Sequence, residues 1–260
     1  MTAAPPSPAP PSPIELRAAD GVDLVGAVWA TVGAARATVV LVHGFTAGQD
    51  DPAVVAVRAA LVYAGYDVIT FDQRGHGRSG GMSTLGGDER YDVAAAVAAA
   101  VAAGRDRARP VIVVGASMGA IAGLQAAVGN ADVAGVVAIS CPARWRLYGI
   151  RSGLAAVVTR TRPGRWFLAT ANGVRVSPRW VRPPEPRSSI SRLTVPVAVI
   201  HGRADRFIPA VEAVELVRQA GGLHRLELVA DMGHAYDPIG TPAILDAVAW
   251  VASQVPIAAA

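Results

Sequence analysis

The chain has 260 residues, of which 52% are hydrophobic and only 17% charged. Those proportions exclude wholesale disorder and suffice for one large core of the α/β kind. The formal charge is +4, and all 24 basic residues are arginine. Eleven of them fall between Arg144 and Arg192 against the single acid Glu185, a local net of +10 that leaves −6 elsewhere. Basicity therefore belongs to one segment, which carries no recognisable nucleic-acid-binding motif, so no nucleic-acid partner is expected. Cys141 is the only cysteine, which rules out an intrachain disulfide and a cysteine-based metal site.

Residues 1–13, MTAAPPSPAPPSP, have neither a basic start nor an apolar centre, so they read as a disordered Pro-rich tail and not as a signal peptide. A cytoplasmic location follows as the expectation. Residues 14–260 are assigned to one domain. Strands are predicted at Val22–Ala30, Thr38–His43, Asp67–Asp72, Pro110–Gly115, Val133–Ser140, Val195–His201 and Arg225–Val229. Helices are predicted at Asp51–Ala64, Glu89–Ala103, Met118–Gly129, Val211–Gln219 and Pro242–Val255. The central strands are nearly unbroken Val/Ile/Leu runs, as strands buried on both faces require. Their alternation with helices predicts a mostly parallel, doubly wound α/β sheet. The Ala/Val run Val93–Ala103 is too short to span a bilayer, which takes about 20 apolar residues. One stretch, about 142–192, breaks the rhythm. It is rich in Arg and Pro, contains Trp145, Trp166, Phe167 and Trp180, shows no strand signal, and is read as a small cap inserted over the C-terminal edge of the sheet.

Gly115-Ala116-Ser117-Met118-Gly119 follows the run Val111–Val114 directly and opens a helical stretch. A nucleophilic serine needs this strand-to-helix elbow, where glycines let backbones pass closely and the helix N-terminus faces developing negative charge. Ser117 is therefore the candidate nucleophile, the alternative being a structural turn serine. His43-Gly44-Phe45 ends the strand before it, so the backbone N–H groups of Phe45 and Met118 are the candidate oxyanion donors. On that reading the Phe45 side chain is free to vary; the plainer reading is a strand-ending turn with His43 supporting the loop. An acid and then a base should follow the serine in chain order. Asp205 lies just past the strand ending at His201, and His234 just past the strand ending at Val229, where ligand groups gather in open α/β sheets. Asp231 and Asp237 are the surface alternatives to Asp205.

HGF at 43–45, FDQRGHGRSGG at 71–81, GASMG at 115–119, HGRADRFIP at 201–209 and DMGH at 231–234 together resemble the α/β-hydrolase superfamily. The branch they are most similar to is that of serine esterases, monoacylglycerol lipases and cinnamoyl esterases, and the likeness runs over roughly residues 14–255 outside most of the cap. It implies an α/β-hydrolase fold and a cofactor-independent carboxylic-ester hydrolase with Ser117 as nucleophile, His234 as base and Asp205 orienting it. It also implies that Asp72, Arg74 and His76 are scaffolding. Neither a metal nor an organic cofactor is expected, and the partner is a small-molecule ester, anionic or lipid-like if the cap arginines select it. The plainer view of those arginines is that their stems cover apolar surface. Acyltransferases, thioesterases and perhydrolases would use the same residues, and a binding protein could retain the fold without the reaction.

Overall fold

Strands that are apolar on both faces are stable only between two layers of helices. A computed structural model of the chain, describing residues 10–103 and 109–255, has that arrangement. Its strands are β1 Ser12–Arg17, β2 Asp23–Trp29, β3 Thr38–Val42, β4 Asp67–Phe71, β5 Val111–Ala116, β6 Val133–Ile139, β7 Val197–Gly202 and β8 His224–Val229. They form one sheet in the order β1-β2-β4-β3-β5-β6-β7-β8. The β1–β2 and β2–β4 pairs are antiparallel and the others parallel.

The pleat sends alternate residues to opposite faces, and each set meets its own helices. Val39, Leu41, Ile112, Val114, Val137 and Ile139 pack with α1 (Pro52–Tyr63) and α8 (Thr241–Gln254). Val40, Val42, Val113, Val136 and Ala138 pack with α2 (Glu89–Ala103), α3 (Met118–Ala127) and α7 (Val211–Val217). Asp51 caps α1 by accepting the Ala53 N–H at 2.9 Å, with Pro52 at the position where a missing N–H costs nothing.

One expectation is corrected. The Pro-rich tail assigned to 1–13 is shorter, because Ser12 and Pro13 begin β1, opposite Val28 and Ala27; residues 1–9 lie outside the described residues. Leu16 turns inward while Glu15 and Arg17 stay exposed, and an edge strand tolerates Pro13. The cap, which showed no strand signal, contains three helices: α4 Ile150–Arg160, α5 Arg162–Ala171 and α6 Pro186–Ile190. It starts beside Glu212 of α7, whose carboxylate accepts the Ala143 and Arg144 amides at 2.9 and 3.2 Å. Farther on it is stitched to the loop after β4: Arg175 N–H donates to Gly75 O, Ser83 N–H to Arg175 O, and Ser177 N–H to Ser83 O, all within 2.9 Å. Cys141, just past β6, is fully buried, and burial followed by the nearby Glu212 charge pushes its thiol far above the ordinary range.

Candidate active site

Ser117 occupies the turn between β5 and α3 with φ 52° and ψ −114°, a region that non-glycine residues rarely adopt. Its environment holds it there. The Ser117 N–H donates to Ile139 O at 2.8 Å, and its carbonyl accepts from Ala120 and Ile121 at 3.1 Å. A Cβ at Gly119 would lie 2.5 Å from His43 O, and one at Gly115 would lie 2.4 Å from Gly119 O, so the elbow needs both glycines. A Cβ at Gly44 would lie 3.6 Å from Ser117 Cβ, which shows how closely the loop after β3 passes the serine. The Phe45 and Met118 amides donate to no group among the described residues.

His234 follows β8, and Asp205 follows β7. Gly202 allows the two loops to meet, since a Cβ there would fall 2.0 Å from Met232 O. His234 Nδ1 lies 2.7 Å from Asp205 Oδ2. A carboxylate only accepts, so the His234 proton sits on Nδ1 and Nε2 carries the free lone pair. The Asp205 side chain is wholly enclosed; its Oδ1 accepts the Phe207 and Ile208 amides at 2.8 and 3.0 Å. Burial alone would raise its pKa, but hydrogen bonds from His201 and His234 outweigh it and hold the carboxyl below the ordinary range. Among the alternatives, Asp237 caps the turn at Pro238 and accepts the Gly233 amide, and Asp231 is exposed.

Ser117, His234, Gly44 and Phe45 all line one cavity of about 300 Å³, together with Ala47, Val54, Tyr236 and others. The structure thus brings His234 to Asp205 and sets Ser117 on the wall that His234 shares; the Ser117 hydroxyl itself makes no hydrogen bond among the described residues. Asp72, Arg74 and His76 line no part of this cavity. Asp72 accepts Gln49 and Arg78 amides, and Arg74 bridges Asp92 and Asp20. Burial disfavours the Arg74 charge, yet its hydrogen bonds to Asp20 and Asp92 raise its pKa overall.

Three residues escaped the sequence reading. His201 Nε2 lies 2.9 Å from Ile208 O and 3.4 Å from Asp205 Oδ2, the same carboxylate oxygen that His234 contacts. Its place at a strand end, four residues before the acid, was the available signal. The Phe207 ring sits 5.1 Å from that of His234, and the Arg151 guanidinium lies 5.4 Å from the Phe207 ring centre. Nothing in sequence spacing links Arg151 to the site. The Phe45 side chain is also less free than expected, for it packs with Leu85 and Val158 against the cap residues Leu168, Val174 and Val176.

Solved structures share this architecture. The Pyrococcus furiosus esterase Pf2001 superposes with a TM-score of 0.76 at 22% identity, covering 95% of this chain and 93% of that one. A thermophilic esterase from Thermogutta terrifontis, solved with malate bound, gives 0.71 at 20% identity over 92% and 99%. Est1E from Butyrivibrio proteoclasticus, solved with ferulic acid bound, gives 0.62 at 18% over 92% and 99%. At these identities the likeness is one of fold. No curated protein matches the sequence. Residues 33–179 match the family Hydrolase_4, described as serine aminopeptidase, S33; the span contains Phe45, Ser117 and Met118 and ends before Asp205 and His234. With more than half its length so matched, and with an α/β-hydrolase fold, the chain belongs to the Hydrolase_4 (serine aminopeptidase, S33) family of α/β-hydrolases.

Proposed function

We propose that the protein is a serine hydrolase that cleaves a small-molecule carboxylic ester through an acyl-enzyme. The observation that carries this reading is the 2.7 Å contact of His234 Nδ1 with the buried Asp205 side chain, beside a strained Ser117 on the same cavity. His234 Nε2 takes the Ser117 proton as Oγ attacks the ester carbonyl, and the amides of Phe45 and Met118 receive the oxyanion. The C–O bond then breaks, and His234 returns the proton to the departing alcohol. Water, deprotonated by His234, attacks the acyl-serine; the acid leaves and Ser117 recovers its proton. Asp205 fixes the tautomer throughout and steadies the imidazolium. Nothing in this sequence calls on a metal or organic cofactor.

The family's name raises the alternative of an aminopeptidase, which must bind a substrate ammonium. The cavity's carboxylates, Asp51 and Asp237, already accept amides of their own loops, and this favours the ester. The test is hydrolysis of p-nitrophenyl acetate and butyrate beside alanine p-nitroanilide, with wild type, Ser117→Ala and Asp205→Asn. Ester turnover should fall by roughly 10⁴–10⁶ in Ser117→Ala and by about 10⁴ in Asp205→Asn, with the fold intact by circular dichroism. Equal ester rates in wild type and Ser117→Ala would refute the assignment, and faster anilide than ester turnover would transfer it to peptides.

A further inference from the structure

The cap hairpin formed by α4 and α5 hides very little of itself: Thr159 and Leu168 are its buried side chains. Ile150, Leu154 and Val157 repeat at i, i+4 and i+7, which puts them on one stripe of α4, and all stand exposed, Ile150 at 91%. On α5, Trp166 is 69% exposed and Phe167 stands out beside it. Between Pro142 and Pro184 the chain has nine arginines and no Asp or Glu. Some of these are engaged: Arg144 and Arg182 meet Glu215 and Glu185, and Arg175 donates to the carbonyls of Ser79 and Gly81. Arg151, Arg160, Arg162 and Arg165, on the hairpin itself, pair with no carboxylate among the described residues.

An apolar stripe alone would suit a second copy of the chain. Two such hairpins would, however, set Arg151, Arg160, Arg162 and Arg165, which pair with no carboxylate among the described residues, against the same four arginines, and like charges in contact oppose association. Apolar and aromatic side chains interleaved with arginine are the composition of a helix that lies in the headgroup boundary of a membrane. We propose that the α4–α5 hairpin docks on an anionic lipid surface, with Trp166, Phe167 and the α4 stripe entering the boundary while the hairpin arginines bind lipid phosphates. The docked face lies next to the candidate active site, because Arg151 contacts Phe207, which contacts His234. The docking does not depend on the ester-hydrolase reading, since it concerns attachment and not turnover.

The experiment is co-sedimentation of the full chain with vesicles of phosphatidylcholine alone and of phosphatidylcholine mixed with phosphatidylglycerol, at low and high salt. Binding to the mixed vesicles only, weakened by salt, is expected. Arg160→Gln with Arg162→Gln should lower the partition coefficient roughly fivefold per arginine, and Trp166→Ser with Phe167→Ser by about tenfold or more. All four positions are exposed, and an unchanged melting temperature will show that the fold is kept. Ser117→Ala should bind as wild type does, which separates failure of docking from failure of the hydrolase assignment. No binding, equal binding to both vesicle types, or salt-insensitive self-association abolished by the Trp166/Phe167 variant would overturn the proposal.

Discussion

His43 accepts the Gln73 amide on Nε2 at 2.9 Å and therefore donates from Nδ1 to Gly44 O at 2.8 Å, which fixes the bend that brings Gly44 against Ser117. The ring is fully buried. Burial first, and His76 5.0 Å away second, lower its pKa from 6.5 to about 4. A base whose folded pKa is depressed binds fewer protons folded than unfolded, so its stabilisation is complete above pH 6.5 and is lost as the pH falls toward 4. The loss should reach about 3 kcal/mol. Urea unfolding between pH 7 and 4 should show it, and His43→Gln should flatten the slope in that window; an unchanged slope would assign the effect to another group. The placement of Ser117, Asp205 and His234 just past strand ends was legible because each follows an apolar Val/Ile/Leu run that marks a strand. His201, Phe207 and Arg151 were not, because what they do depends on loop and cap geometry that no local pattern encodes.

At the scale of elements, the elbow between β5 and α3 is bound to the end of β3 through backbone contacts that leave no room for a methyl group. Gly119→Ala sets a Cβ 2.5–2.6 Å from His43 O and Val42 O, and neither atom can rotate away. It should destabilise the protein by roughly 2–4 kcal/mol and displace Ser117. Gly123→Ala, one turn along the same helix, meets only the Val113 Cγ1 methyl at 3.0 Å and regains helix propensity, so its cost should be about 1 kcal/mol or less. Thermal melts of the two variants make the comparison, and equal shifts would defeat it. The parallel strands and the helices that cover them were readable because continuous Val/Ile/Leu runs have few alternatives. Strand β1 was hidden because its two inward residues, Ile14 and Leu16, follow a run of prolines. Helices α4 and α5 were hidden because Gly153, Pro163 and Gly164 interrupt the segment that carries the helical spacing of Ile150, Leu154 and Val157.

Taken whole, the molecule is unevenly held. The sheet is sealed on both faces by helices, whereas the α4–α5 hairpin rests on a few side chains gathered round Leu168. The hairpin should therefore open locally without disturbing the sheet. Its amides are expected to exchange with deuterium at least about 10³-fold faster than those of β3, β5 and β6. Uniform protection across hairpin and sheet would show the cap to be part of the cooperative core.

The sealed position of Cys141 has a practical side. Its thiol is enclosed and strongly disfavoured as a thiolate, so it should be silent toward maleimides in the folded protein. A cysteine introduced on the outer surface of the hairpin would then be the one site such a reagent finds. A fluorophore could be placed there, on the otherwise natural sequence, to report polarity or distance while the cap opens.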